Sequence, residues 1–247
     1  MKAMLIAVSD GLPRDDLASR PIGSVDESRR AAESVLPGLV GEQLPDGNLA
    51  EDCYPSEGIY AGTFGNTWVV ASQHQALYDW APPFDGGRNA YRVFMQSVVS
   101  AAGFAYWGAD GSSREFGGSW EDGAPINGGE NLPFELPFWA GERDEFGEAT
   151  ELHGSDMPFN PMDLGEEALR AFFGFVGEGV PGPGDLDAFE IGLHGFALLT
   201  EPRPVPTEIL QAPRSAAPPA TRSKGLFSRR PRRDREAAPI APPPGRN

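Results

Sequence analysis

His194 is the residue of this sequence best suited to proton-transfer chemistry. In the segment FEIGLHGFALLT, the alternation of a strand places Glu190 and His194 on one face, with Gly192 between them. A carboxylate beside an imidazole is the pairing that general acid–base catalysis uses. Gly192 and Gly195 would allow a ligand or another backbone to approach closely. The same pattern also describes a histidine hydrogen-bonded at a sheet edge or under a loop, which is the more common role.

Two further groups of polar residues could contribute to a site. His153 and Asp156 are close together in a polar segment that would join a site if it folded over the sheet, although a solvated loop is the favoured interpretation. Glu166 and Glu167 resemble a pair of catalytic carboxylates. However, Arg170 follows at helical spacing, which favours an ordinary ion pair on a helix surface.

Several enzyme classes and metal sites lack their signatures in this sequence. It has no GxxxxGK[ST], no GxGxxG following a strand, no GxSxG and no HExxH. Three histidines and the single cysteine, Cys53, supply no ligands at the spacing of a zinc site. We therefore predict no cofactor and no metal, and an enzyme is the alternative interpretation.

Charge divides the chain into two parts. Residues 202–247 contain 10 Arg or Lys against three Asp or Glu, a net of +7, and residues 1–201 contain 10 against 33, a net of −23, which together give −16. This division predicts an acidic globular domain at 1–201 and a disordered, Pro- and Arg-rich basic tail at 202–247. A strongly acidic domain repels phosphate backbones, so we expect no nucleic-acid binding by residues 1–201.

The positive charge of the tail is concentrated in residues 222–235, here called the basic segment. It has seven cations against one anion and includes an apolar pair. Such a segment suits a membrane surface, a nucleic acid or an acidic protein. A solvated tail without a specific partner, or a tail that folds back on the acidic domain, remains open. The residues expected to contact an anionic partner are Arg222, Lys224, Leu226, Phe227, Arg229, Arg230, Arg232, Arg233 and Arg235.

The elements that must position these residues follow from periodicity and turn signals. We predict an α+β fold, a mainly antiparallel sheet built from hairpins with two helices packed on one face. Helices are expected at 26–36 and from Asn160, as the cap, to Gly177. Residues 117–157 are expected to form irregular loop. Strands are predicted at 2–8, 59–64, 67–72, 91–99, 103–109, 112–116 and 189–200.

Six short motifs give the chain a resemblance to a known family. They are CYP at 53–55, YAG at 60–62, FWAGE at 138–142, LGEEALR at 164–170, FGF at 173–175 and LHGF at 193–196. Together they resemble an uncharacterised actinobacterial family classed as a domain of unknown function, over residues 2–200. The resemblance implies a single soluble domain of actinobacterial origin without an assigned activity, so it transfers no catalytic residue.

The leading hypothesis is a non-catalytic or regulatory cytoplasmic protein whose basic tail contacts an anionic partner. A single cysteine fits a reducing compartment, and no apolar run approaches the length of a membrane span. The alternative is a small, hydrolase-like enzyme that uses His194 and Glu190 as an acid–base site. The sequence does not determine a substrate or an oligomeric state.

Overall fold

The computed structural model describes residues 2–83, 87–143 and 157–202. Its helices within those residues are α1 (Pro13–Ser19), α2 (Val25–Val35), α3 (Leu49–Asp52), α4 (Leu136–Trp139) and α5 (Pro161–Phe173). Short 3₁₀ helices span Gln75–Leu77, Ser97–Val99 and Pro133–Glu135. Ten strands occur in the same residues: β1 (Lys2–Ser9), β2 (Val40–Gln43), β3 (Gly47–Asn48), β4 (Ile59–Phe64), β5 (Thr67–Ser72), β6 (Asn89–Gln96), β7 (Ala101–Trp107), β8 (Ser113–Ser119), β9 (Gly123–Gly129) and β10 (Gly192–Leu198).

The strands form one antiparallel sheet in the order β2-β10-β4-β5-β1-β6-β7-β8-β9, and β3 pairs with β10. β1 lies between β5 and β6, where Leu5 is opposite both Ala71 and Val93. Hairpins connect β4 to β5 and β6 through β9 in sequence order. The predicted α+β class and the mainly antiparallel sheet are therefore confirmed.

The sheet is covered on both faces, which explains the apolar character of β1. Leu5 points into a core that includes Leu164, Leu169 and other residues of α5. Its neighbour Ile6 points into the opposite core, with residues of α2 such as Ala32. A strand buried on both faces needs apolar residues at every position. The expectation that both helices cover one face was wrong, because α2 and α5 lie on opposite faces.

Local capping explains where the two long helices begin. Ser24 accepts a hydrogen bond from the backbone N–H of Glu27, and the Glu27 carboxylate accepts one from the backbone N–H of Ser24. This reciprocal pair is a capping box at the start of α2. The predicted cap of α5 is confirmed, since the Asn160 side chain accepts from the N–H of Met162 at 2.9 Å.

The structure corrects several predicted boundaries. α5 ends at Gly174, which adopts a φ of 82°, and not at Gly177. The region expected to be irregular loop contains the end of β8, strand β9 and α4. The final strand begins at Gly192 and not at residue 189. Besides β9 and α4, four α-helices or strands had no counterpart in the prediction: α1, β2, β3 and α3.

None of the helices in the described part of the chain is both long enough and apolar enough to cross a membrane. The predicted basic tail lies outside the described residues, apart from its first residue, Pro202.

Candidate functional site

His194 lies on β10 between two loops of the chain. Its Nδ1 is 3.0 Å from a carboxylate oxygen of Asp46, in the connection between β2 and β3. Its Nε2 is 3.2 Å from the backbone carbonyl oxygen of Gly23, just before α2. The His194 side chain is only 12% exposed, whereas that of Asp46 is 59% exposed. The imidazole therefore links the two loops that flank β10.

Both contacts of the imidazole are to hydrogen-bond acceptors. A carboxylate and a carbonyl cannot donate, so the two bonds form together only when both ring nitrogens of His194 carry protons. In that state neither nitrogen is open to a substrate. The geometry thus suits a histidine that joins Gly23 to Asp46, and proton transfer would require one of these bonds to break first.

The other predicted catalytic residues do not join His194 in a described site. Glu190 is exposed and precedes β10, in a turn where its N–H donates to the carbonyl of Asp187. The carboxylate beside the imidazole is that of Asp46. His153 and Asp156 lie outside the described residues, as do the nine candidate residues of the basic segment.

A cleft of about 790 Å³ lies beside Cys53, here called the Cys53 cleft. It is lined by α3 and the residues just after it, including Glu51 and Tyr54, and by the loop that follows α5. Burial raises the pKa of the Cys53 thiol to about 11. A thiol with a raised pKa is a poor nucleophile at neutral pH, so this geometry does not indicate cysteine catalysis.

Two side chains of α5 hold the loop that forms the outer wall of the Cys53 cleft. The Glu166 carboxylate accepts hydrogen bonds from the N–H groups of Gly177 and Glu178, at 2.7 and 2.8 Å. Arg170 forms ion pairs with Glu167 at 2.6 Å and with Asp185 at 3.2 Å. The anticipated ion pair between Arg170 and Glu167 is therefore present. Glu166 instead anchors the loop, and burial raises its pKa.

A second cavity, here called the aromatic cavity, has a volume of about 540 Å³. It lies between α5, strands β6 and β7, and the turn that joins β1 to α1. The rings of Tyr91 and Phe172, 2% and 3% exposed, are in contact, with centroids 5.0 Å apart. Tyr106 and Phe134 extend this cluster, with centroids 5.4 Å from Tyr91 and 5.5 Å from Phe172 respectively.

A buried ion pair supports the segment that forms one wall of the aromatic cavity. Arg114 donates to the Glu135 carboxylate from Nε at 2.8 Å and from Nη2 at 2.5 Å. The same carboxylate accepts from the N–H of Leu132 and from the indole of Trp139. The Arg114 and Glu135 side chains are 1% and 0% exposed. This network fixes residues 132–139, of which the first three line the cavity.

These groupings of residues were largely unpredictable from the sequence. Asp46 comes from a Pro- and Gly-rich stretch and is 148 residues from His194, so only the strand order brings the two together. The polar and aromatic residues of the aromatic cavity come from five separate regions of the chain. The sequence contained a signal only for Tyr91 and Tyr106, because the alternation of side chains along adjacent strands predicts that both lie on the same face of the sheet.

The described residues define an antiparallel α+β protein whose candidate sites are two cavities and a histidine bridge. In the described part of the chain, no three His, Cys, Asp or Glu side chains are grouped to hold a metal ion. The chain belongs to the family of unknown function DUF6928, whose model matches residues 2–196. No curated protein and no solved structure matches the chain.

Proposed function

We propose that the protein is a non-catalytic binding protein of the cytoplasm whose basic segment contacts an anionic partner. The observation that carries this proposal is the charge distribution. Seven cations fall within residues 222–235, in a chain whose first 201 residues have a net charge of −23. An anionic partner is attracted by the segment and repelled by the acidic domain, so contact is confined to the segment.

The basic segment has the charge, and the tail has the chain length, that contact with an anionic partner requires. Each Lys or Arg near an anionic surface contributes about 1 kcal/mol at low salt. Leu226 and Phe227 add an apolar pair within the run of charge. A flexible chain of the tail's length has ends about 40 Å apart on average, which is enough to separate a partner from the acidic domain.

The His194 geometry supports a non-catalytic domain. Both imidazole nitrogens are within hydrogen-bond distance of Asp46 and Gly23. A general base must instead present a nitrogen to a substrate proton at about 3 Å. The contacts of His194 therefore connect two loops and leave neither ring nitrogen available for a substrate.

The sequence supports the cytoplasmic location, and from it we also propose an actinobacterial origin. One cysteine in 247 residues is typical of a reducing compartment. Lys2 is the only lysine before the tail, whereas arginine, alanine, glycine and proline are common, as is typical of proteins from GC-rich genomes.

Deletion of residues 202–247 tests the proposal. Binding of the full chain and of residues 1–201 would be measured on anionic vesicles, neutral vesicles and duplex DNA, at low and high salt. We expect the full chain to bind an anionic target at low salt and to release it at high salt, and the truncated chain not to bind. Equal binding by the two chains would contradict the proposal.

Two matched variants separate the classes of partner. Replacing the seven cations of the basic segment with Gln should abolish binding to every anionic target. Replacing Leu226 and Phe227 with Ser should weaken binding to vesicles but not to DNA, because only a membrane buries the apolar pair.

The pairing of His194 with Asp46 supports a second candidate, a small hydrolase-like enzyme. An imidazole held by a carboxylate is the arrangement that general bases use once the other nitrogen is released. The test is hydrolysis of an activated ester by the full chain, H194Q and H74Q. Our proposal expects equal rates for all three, whereas a rate lost in H194Q alone would establish the enzyme.

A further inference from the structure

The aromatic cavity has the composition of a site for a small organic molecule. Most of its lining is aromatic or aliphatic, and the rings of Tyr91 and Phe172 form its buried part. Leu12, at 43% exposed, lies on the solvent side. Its volume of about 540 Å³ falls in the ordinary range for ligand sites, which are mainly apolar with a few placed polar groups.

The uncharged polar groups of the aromatic cavity are already used within the fold. The Tyr91 hydroxyl donates to the carbonyl of Gly11 at 2.8 Å. The Asn89 side chain donates to the carbonyl of Asp10 at 3.1 Å and accepts from the N–H of Ala109 at 2.9 Å. These bonds fix the shape of the cavity wall and leave these groups little capacity for a ligand.

Arg14 is the exception, and it is the only charged residue among those that line the aromatic cavity in the described part of the chain. A guanidinium has five N–H donors. The structure gives Arg14 one bond, a long contact of 3.4 Å from Nη1 to the carbonyl of Arg170. Among the described residues, several of its donors therefore have no acceptor and are available to an anionic group, and a carboxylate matches the planar geometry of a guanidinium.

The charges around Tyr91 restrict where such an anion would lie. Burial raises the pKa of the Tyr91 hydroxyl, and the neighbouring Tyr106 and Asp15 raise it further. A second anion beside Asp15 would be repelled. Arg14 is the cation of the cavity lining, so the carboxylate would pair with it, with the apolar part of the molecule against the rings.

We propose that the aromatic cavity binds a small aromatic carboxylate, with the ring against Tyr91, Tyr106 and Phe172 and the carboxylate on Arg14. The Cys53 cleft is a weaker candidate, because its charged residues already have partners. Asp185 pairs with Arg170, and Asp187 accepts from the N–H of Phe189.

Three probes test the chemistry of the ligand: phenylacetate, the neutral phenylacetamide and the cationic phenethylamine. The full chain would carry isotope-labelled tyrosine, so that its five tyrosines report where each probe binds. Tyr91 and Tyr106 line the aromatic cavity, Tyr54 lines the Cys53 cleft, and the remaining two line neither. We expect phenylacetate to shift Tyr91 and Tyr106, with the millimolar dissociation constant usual for a fragment of this size.

Variants test the roles assigned to Arg14 and to the apolar lining of the aromatic cavity. R14Q should weaken phenylacetate binding about ten-fold and leave phenylacetamide unchanged, because it removes a charged hydrogen-bond donor. R30Q makes the same change of charge at an exposed position of α2 and should have no effect. A171L should weaken both probes, because the larger side chain fills the cavity.

Three results would overturn the proposal. They are shifts confined to Tyr54, equal weakening by R14Q and R30Q, and tighter binding of phenethylamine than of phenylacetate. Absence of any shift at Tyr91 and Tyr106 would also overturn it. Unfolding curves of R14Q and A171L verify that both variants are folded, and each result stands independently of the basic segment.

Discussion

The contribution of the buried ion pair of Arg114 and Glu135 to the stability of the protein can be measured by substituting Glu135. E135Q keeps the shape of the side chain but removes its charge. Besides the amide oxygen left at position 135, Arg114 would then keep the side chain of Asn127 and the carbonyls of Glu115 and Gly128 as acceptors, the last three at 2.7, 3.2 and 3.0 Å. All of these partners are uncharged, so the guanidinium would be buried without a counter-ion.

The cost of E135Q follows from this burial. Removing one partner of a fully buried ion pair costs about 3–5 kcal/mol, because the remaining charge has lost its water. With a urea dependence of about 2 kcal/mol per molar, the unfolding midpoint should fall by about 1.5–2.5 M. The assay is equilibrium urea unfolding monitored by tryptophan fluorescence, which Trp139 reports directly because its indole donates to Glu135.

E115Q is the matched control for this prediction. Glu115 pairs with Arg92 at 2.9 Å, but its side chain is 43% exposed and Arg92 is 13% exposed, so the same substitution should cost less than E135Q, about 1–2 kcal/mol. A cost below about 1 kcal/mol for E135Q would refute the reasoning, since it would mean that water reaches Arg114.

Three further predictions concern other parts of the fold. Cys53 should react with a thiol reagent at about pH 8 roughly a hundred-fold more slowly in the native protein than in urea, because burial raises its pKa to about 11 and lowers the thiolate fraction. Burial raises the pKa of Glu166, so its contribution to stability should decline as pH rises above the ordinary value of 4.5, and the urea midpoint of the native chain should fall relative to that of E166Q over that range; parallel pH profiles would contradict this. G174A should cost about 1–2 kcal/mol in thermal unfolding, because its φ of 82° disfavours a side chain; an unchanged midpoint contradicts this.

Local signals in the sequence predicted some elements closely. The hairpin of β4 and β5 has the predicted ends because Gly65, with a φ of 60°, supports a two-residue turn. The start of α5 was predictable because Asn160 and Pro161 are both typical of a helix N-terminus. Each of these features is determined by a few residues that are adjacent in the sequence.

The missed features depend on distant parts of the chain. The GAPINGG sequence of β9 has low strand propensity, and it is a strand because β8 offers it an edge to pair with. The carboxylate of Asp46 reaches His194 only because β10 lies between β2 and β4. Periodicity along one segment carries no information about that strand order.

The salt dependence of binding tests the central proposal most directly. The dissociation constant of the full chain for anionic vesicles and for duplex DNA would be measured across a series of salt concentrations, beside the variant with Gln at the seven cations of the basic segment. We predict that affinity for at least one of the two targets falls steeply with salt in the native chain, with a slope set by those cations, and that the variant does not bind. Equal affinity and an equal slope for the two proteins would contradict the account.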